Sequence, residues 1–399
     1  MNVALPLHLA LALALALALT APPAAAGPLI TAVGEPLAVG RTGNWSRLIA
    51  RPEGGWWYFQ AAGGDFHVGA LSEDLQLDER SLAPLTGRSD LQDHAISPCP
   101  GGGYLHLASY SRSSPNDSAV AFRYDDDFGL TETILIEEGR PERAHNDLVT
   151  ICGEGPSPVG LTTFAPGGPP TAAAFWLQPG GAVEGPLEVP VQTFMGSSMV
   201  REDDGYLVAL AEGTTATTLS LQSLDGALQA RGPARRVPVD GGVAFWPQGM
   251  LRLAEDRLLV VHLAREGATG DGNVWLRVID DRDQLIESVQ LTRTEPPACH
   301  QPSLSRQGET LLVTTNCDLQ PYVIPLTLDL SGLTLVDGEG GGAADSAEGN
   351  AEDSGAAGKD GGCAGCAAGG GPGMGGPAGL LAALVLGWRR RLRTRSPAA

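Results

Sequence analysis

Hydrophobic residues along this chain alternate with polar ones in short runs, and the runs recur as one repeated unit. Each unit opens with a short apolar strand, turns at Gly or acidic residues and continues into a longer apolar strand, as in "SMVREDDGYLVALAE" from Ser198 and "PSLSRQGETLLVTT" from Pro302. A second hairpin follows, such as "YDDDFGL" from Tyr124. This alternation predicts strands, and no helical periodicity competes with it.

The repeated unit predicts a ring-shaped fold. Its ends recur from Leu77 to Leu333 at a mean spacing of about 51 residues, six times in all. Two hairpins per unit give four strands, so we expect an all-β fold, a β-propeller of six four-stranded blades, with seven blades as the alternative. The stretch 29–39, "LITAVGEPLAV", is expected to supply the outermost strand of the last blade and so join the chain ends.

Residues 1–26 differ from the body by their leucine and alanine content. The run ends in prolines and in Ala24-Ala25-Ala26, which predicts a secretory signal peptide cleaved after Ala26. No Lys or Arg precedes the run, and an uncleaved membrane anchor is the alternative interpretation. The propeller is therefore expected to occupy residues 27–336 of an exported protein.

The C-terminal part divides into a stalk and an anchor. Residues 337–362 are nearly all Gly, Ala, Ser and acidic residues, which predicts a disordered acidic stalk. Residues 363–399 contain a short hydrophobic run, 378–388, followed by arginines from Arg389 to Arg395. Such a run is short for a hydrocarbon core of about 30 Å, and the arginines are expected to stay on the cytoplasmic side.

This order of stalk, Gly-Cys pair, short hydrophobic stretch and arginine cluster resembles the MYXO-CTERM sorting tail of myxobacterial surface proteins. The resemblance implies a sorting protease that cuts near Cys363 or Cys366, and anchoring at the cell surface or outer membrane. A plain C-terminal membrane helix is the alternative.

Charge limits the classes of possible partner, and cysteine content indicates the redox state of the compartment. The chain has 26 basic and 46 acidic residues, a net charge of -20, which repels phosphate backbones and excludes nucleic acid as a partner. In an oxidising compartment the body cysteines are expected to form disulfides. Cys299 and Cys317 lie opposite each other about Gly308 in one hairpin, and Cys99 with Cys152 would bridge neighbouring blades.

The starts of the six inner strands surround the central channel and form the candidate site. The ring is polar in every blade, and the binding residues expected there are Trp45, His94, Asn146, Gln248, His300 and Gln301. With Ser46, Asp93, Ser197 and Ser198 these side chains could contact an extracellular glycan or protein. Polar channel positions are also expected simply because the channel is wet.

Histidine and carboxylate in this ring suggest chemistry as well as binding. His145 and Asp147 could act as general acid and base on a glycosidic or ester bond. His94, His145 and His300 could hold a divalent metal, the one cofactor considered possible. Acidic turns such as 125–127 and 280–283 could bind calcium through oxygen ligands, although solvated turns are the favoured interpretation.

The turn "DDDFGLTE", residues 125–132, resembles the Asp-box of sialidase-like six-bladed propellers. Asp127, Gly129 and Thr131 match that box, whereas Asp125 and Glu132 replace its serine and tryptophan. The arginine triad of that family has no recognisable counterpart, since Arg47 and Arg201 lie on inner strands without a motif around them.

Taken together, the sequence predicts an exported, surface-anchored propeller that binds an extracellular glycan or protein at its channel face. A glycan-acting hydrolase or metal-dependent lyase is the alternative, and a structural surface protein is the second alternative.

Overall fold

The computed structural model describes residues 28–62, 65–81, 91–110, 118–137, 144–164, 171–187, 189, 191, 196–212, 218–238, 243–265, 272–293 and 299–336. At positions 44, 65, 79–81, 92, 144–147, 164, 212, 243–245 and 265 the backbone alone is described. The predicted signal peptide, stalk and sorting segment lie outside the described residues. No helix in the described part is long and apolar enough to cross a membrane.

The described strands form six antiparallel sheets, five built from four consecutive strands each and the last from three consecutive strands with the first two strands of the chain. The inner strands are β3 (Asn44–Ala50), β7 (Leu91–Pro98), β11 (Ala144–Thr150), β15 (Ser198–Glu202), β19 (Val243–Ala254) and β23 (Cys299–Gln307). The second strands are β4 (Trp56–Ala62), β8 (Tyr104–Tyr110), β12 (Ser157–Phe164), β16 (Gly205–Glu212), β20 (Arg257–Arg265) and β24 (Thr310–Cys317).

The third and outer strands complete the blades. The third strands are β5 (Asp65–Leu71), β9 (Ala119–Tyr124), β13 (Thr171–Leu177), β17 (Thr218–Asp225), β21 (Asn273–Ile279) and β25 (Gln320–Leu328). The outer strands are β6 (Leu77–Ser81), β10 (Leu130–Glu137), β14 (Val183–Leu187), β18 (Arg235–Val237) and β22 (Leu285–Gln290), and the last blade takes β1 (Ile30–Val33) with β2 (Leu37–Ala38). The propeller of six blades is confirmed, and the alternative of seven is wrong.

The ring closes through the first strands of the chain, as the sequence predicted. β1 pairs with β25, Ile30 opposite Leu328, and β2 pairs with the same strand, Leu37 opposite Val323. Neighbouring inner strands contact each other around the ring, and β23 contacts β3. Every strand of the propeller thus lies between Ile30 and Leu328.

Apolar residues hold the blades together because each middle strand buries both of its faces. In β16, Leu207 packs towards blade five and the next residue, Val208, packs towards blade three. One apolar cluster fills each of the six blade interfaces. This explains why the second strands are nearly continuous apolar runs rather than alternating ones.

The acidic turns between third and outer strands share one geometry. Asp125 Oδ1 accepts the backbone N–H groups of Asp127, at 3.0 Å, and Gly129, at 2.6 Å. Asp225 and Asp280 accept N–H groups at the same two positions of their own turns. The residue three positions after each of these three aspartates is left-handed, such as Phe128 with φ 61°. This conformation is typical of three-residue hairpin loops. In each of these three turns one carboxylate oxygen therefore accepts two backbone N–H groups.

Two faces of the ring can be distinguished by strand direction. We call the face where the inner strands begin the mouth, and the opposite one the exit face. Leu29 lies on the exit face, where its carbonyl accepts the N–H of Asp329 at 2.8 Å. The other described end lies there too, since the N–H of Val336 bonds the carbonyl of Leu253, near the end of β19.

Both predicted disulfides are confirmed. Cys299 and Cys317 are joined across β23 and β24, where they lie in register. Cys99 and Cys152 join blades two and three with a Cα to Cα distance of 4.9 Å.

We expect the bridge between blades to contribute more to stability than the bridge within a hairpin. The sequence separations are 53 and 18 residues. In the chain-entropy description these correspond to about 4 and about 3 kcal/mol. Urea unfolding of the double variants Cys99→Ala, Cys152→Ala and Cys299→Ala, Cys317→Ala measures both, and a larger loss in the second would contradict the assignment.

Candidate functional site at the channel mouth

The channel contains a cavity of about 130 Å³ whose wall comes from all six inner strands. Hydroxyl groups are its commonest polar lining, contributed by Ser97, Thr150, Ser197, Ser198 and Ser303. Arg47 is the one charged side chain among the described residues of this wall. The channel is thus narrow and mostly uncharged, inside a strongly acidic protein.

At the mouth the inner strands leave regular pairing. Trp45 lies at a register break between Asn44 and Ser46, and Trp246 and Gln301 lie at comparable breaks in β19 and β23. Their φ angles are 51°, 46° and 53°. A left-handed conformation costs a residue with a Cβ about 1 to 2 kcal/mol, so the surroundings must hold these residues in place.

Blade four shows the same conformation at the equivalent place, but with a glycine. Gly196 has φ 59° and precedes β15. A Cβ on Gly196 would lie 2.6 Å from the Cα of Trp246 and would overlap its indole. The inner strands of four consecutive blades (four, five, six and one) therefore have a left-handed residue at or near their start.

Hydrogen bonds between blades use the backbone groups of the residues at these breaks. The N–H of Trp45 donates to Gln301 Oε1 at 3.2 Å, and its carbonyl accepts from His94 Nε2 at 2.7 Å. Blades six, one and two are thereby linked through a single residue. The hydroxyl of Ser198 similarly donates to the carbonyl of Pro247 at 2.6 Å and links blades four and five.

Asp93 links blades two and three in the same region. Its Oδ1 accepts the N–H of His94 at 2.8 Å, and its Oδ2 accepts the N–H of Leu148 at 3.2 Å. The carboxylate is almost fully buried. Asp93 therefore positions β11 at Leu148, in the strand that carries His145 and Asp147.

His94 lies beneath the mouth and is fully buried. Because a carbonyl can only accept, Nε2 carries a proton in this arrangement. Burial, with a smaller effect of the nearby Arg47 guanidinium, lowers the pKa of His94 to about 3. Phe66 packs against this histidine and against His106, with ring centroids 5.0 and 4.1 Å away, and burial also lowers the pKa of His106.

The remaining predicted binding residues differ in their surroundings. Gln248 is buried on the channel wall, and within the described part its Oε1 has no hydrogen-bond partner. His300 is half-buried, and its carbonyl accepts the hydroxyl of Thr315 at 3.0 Å. Gln301 is buried against Trp45, so it positions that residue as well as lining the mouth.

For the predicted catalytic pair, His145 and Asp147, the structure describes the backbone alone. The backbone of His145 pairs with Thr163 in β12, and that of Asn146 with Thr162. The side chains of His145, Asn146 and Asp147 lie outside the described residues. No group of three metal-ligating side chains occurs in the part of the chain that the structure describes. The catalytic and metal assignments stay predictions.

Trp246 is the mouth residue that sequence reasoning missed. It is half-buried, like Trp45, and packs against the apolar cluster between blades five and six. A signal was present, because Trp246-Pro247 and Gln301-Pro302 stand at the same place in two inner strands. A residue before proline normally adopts an extended conformation. Here both residues before proline, Trp246 and Gln301, have positive φ angles and lie at the register breaks.

Comparisons with known proteins show a likeness in the arrangement of blades. No family model matches the chain, and no curated protein matches it. Several solved structures resemble the ring. A neuraminidase-like protein of subtype N10 from A/little yellow-shouldered bat/Guatemala/060/2010 is 13% identical, covers 74% of this chain and 98% of its own, and has a TM-score of 0.46.

Two further solved structures resemble the ring to a similar degree. The hemagglutinin-neuraminidase of parainfluenza virus 5 is 9% identical over 76% of this chain and 95% of its own, with a TM-score of 0.46. An alpha-L-arabinofuranosidase from Lactobacillus brevis is 12% identical over 58% of this chain and 88% of its own, with a TM-score of 0.40. At these identities the likeness assigns no residue and no activity.

We predict that Gly196→Ala destabilises the mouth beyond the usual effect of a side chain in a left-handed position. The added Cβ would displace Trp246. The matched control is Gly180→Ala, since Gly180 has φ 88° and a Cβ added there would meet nothing within 4 Å. The control should lose about 1 to 2 kcal/mol and Gly196→Ala clearly more in urea unfolding. Equal losses would show that Trp246 is not held against Gly196.

We predict that stability falls on acidification below about pH 6.5. The pKa of His94 is lowered to about 3 and that of His262 to about 4, in both cases mainly by burial. The unfolded chain therefore takes up protons first, and each histidine removes about 1.4 kcal/mol per pH unit until its folded pKa is reached. His94→Gln keeps a donor for Trp45 but cannot titrate in this range, so its urea midpoint should fall less steeply between pH 7 and 5. Identical pH profiles for the two proteins would contradict this.

Proposed function

We propose that the mouth of the channel binds a carbohydrate, and that the protein is an exported, surface-displayed glycan-binding module. The observation that carries the proposal is the pair of half-buried indoles, Trp45 and Trp246, held by left-handed breaks around a narrow polar channel. A rigidly held aromatic ring offers a large contact area with little loss of side-chain entropy on binding.

Polar groups close to the indoles favour a hydroxyl-rich ligand. Ser197 Oγ and Gln248 Oε1 are buried, line the channel and have no hydrogen-bond partner within the described residues. Both Ser197 and Gln248 are more than nine-tenths buried. Leaving such groups unpaired costs about 1 to 3 kcal/mol each, and a hydroxyl donor admitted to the channel would offset that cost.

Charge favours a neutral ligand over an acidic one. The chain carries a net charge of -20. A surface of that sign slows the approach of polyanions, and among the described channel residues Arg47 alone could oppose it. Neutral polysaccharides are therefore the ligand class proposed.

Display at the cell surface is part of the same proposal. It rests on the signal peptide expected at 1–26 and on the resemblance of 363–399 to the MYXO-CTERM tail. Both described chain ends lie on the exit face, opposite the proposed binding surface. Surface proteolysis of whole cells, followed by detection of the released propeller, tests this display.

We expect Trp45→Ala and Trp246→Ala each to weaken retention on an immobilised neutral polysaccharide about tenfold or more, as truncation of a central aromatic usually does. Trp176→Ala is the matched control, because Trp176 is also half-buried but lies beside Tyr206 near the exit end of β13, away from the mouth. Full retention in both mouth variants, or an equal loss in the control, would remove the assignment.

The same assay separates binding from hydrolysis. Scoring new reducing ends alongside retention identifies a glycan-acting enzyme, and loss of those ends in His145→Ala and Asp147→Ala would place the chemistry on β11. Retention without new ends would identify a binding module.

A further inference from the structure

A second cavity, of about 350 Å³, lies on the exit face between blades five and six. Its apolar wall includes Leu29, Ile286 and Leu333, and its polar wall includes Glu287 and Asp329. Pro28, the first described residue of the chain, also lines it. The cavity therefore surrounds the point at which the described chain begins.

Glu287 holds the start of the chain in place. Its Oε2 accepts the N–H of Leu29 at 2.8 Å, and both of its oxygens lie 3.3 Å from the N–H of Ile30. The carbonyl of Leu29 accepts the N–H of Asp329 on the other side. The direction of the chain at Pro28 is thus fixed by the two residues that carry the cavity's carboxylates.

The charges of this cavity do not balance among themselves. Its charged lining residues are Arg257, Glu287 and Asp329. The guanidinium of Arg257 is bound to Asp256, at 2.6 Å from Oδ2. The hydroxyl and the N–H of Ser331 hold the pKa of Asp329 below its usual range, so this carboxylate is ionised. The cavity therefore suits a cationic group.

We propose that the cavity binds the α-ammonium group of Gly27, which is created when residues 1–26 are removed. Gly27 is bonded to Pro28 on the cavity wall, and consecutive Cα atoms are only about 3.8 Å apart, so the cavity is within reach of its amine. An ammonium has three donors and can bond Glu287 and Asp329 together. The proposal rests on cleavage after Ala26 and is independent of the carbohydrate ligand.

This binding would couple export to completion of the fold. β1 is the strand that closes the ring, and Glu287 fixes the chain just where β1 begins. In the uncleaved precursor residue 27 has an amide nitrogen and no charge, so the carboxylates stay without their cation. The closure would then reach full strength only after the signal peptide is removed.

A chemical property of the chain makes the test selective. Lys359 is the one lysine of the sequence, so a fragment of residues 27–336 has a single amine, the α-amino group of Gly27. This fragment keeps every strand of the propeller. It can be released from a fusion protein with Gly27 as first residue and labelled with an acylating reagent at pH 7, with mass spectrometry to follow the rate.

We expect the amine of the folded fragment to react about tenfold more slowly than that of the double variant Glu287→Gln, Asp329→Asn. Only the neutral amine reacts, and a rise of one unit in its pKa corresponds to a tenfold change below pH 8. Glu287→Gln keeps an acceptor oxygen for the N–H groups of Leu29 and Ile30, so the double variant removes charge with little loss of packing.

Two controls separate charge from other causes. Asp127→Asn, an exposed carboxylate in blade two, should leave the rate unchanged. A fragment that starts at Ala26 moves the amine by one residue and should react as fast as the double variant. Equal rates for the parent and the double variant, or slow reaction that persists in the Ala26 form, would overturn the proposal and leave the cavity to an external ligand.

Discussion

Packing of apolar residues between neighbouring blades is the interaction on which the rest of this structure depends. Each blade is only four strands wide, and its middle strands are apolar on both faces, so no blade can bury its residues alone. The six interfaces satisfy this need only if the ring closes. Closure falls to β1 and β2 on β25, which places the first strands of the chain in the last blade.

The mouth is formed by the starts of the inner strands, which lie at the edge of this packing between blades. Regular pairing ends near the start of β3, β19 and β23, and the backbone groups of Trp45 and Pro247 are then bonded by side chains of other blades. Strain in the left-handed residues is thus offset by hydrogen bonds that also set the position of neighbouring blades. Rigidity at the mouth and cohesion of the ring come from the same contacts, which is a suitable basis for a binding site with fixed aromatic groups.

Much of the fold could be predicted because its signals are local. Strand alternation and turn residues gave the blades, the stretch 29–39 gave the closure, and symmetry about Gly308 gave the pairing of Cys299 with Cys317. The mouth was only partly predictable, because the conformation of Trp45 depends on Gln301 and His94, which are 256 and 49 residues away in the chain. The same reason explains His94, which was expected on the channel surface and instead lies buried beneath it as a donor to Trp45.

The central claim is that a carbohydrate binds at the mouth, and fluorine NMR tests it most directly. The chain has 7 tryptophans, and Trp388 lies outside the propeller. A propeller fragment labelled with 5-fluorotryptophan can be titrated with an oligosaccharide of the retained polysaccharide, after single Trp→Phe variants assign the signals. The account predicts that the signals of Trp45 and Trp246 shift while those of the fully buried Trp56 and of Trp57, Trp176 and Trp275 stay in place. Shifts confined to the latter four would contradict it.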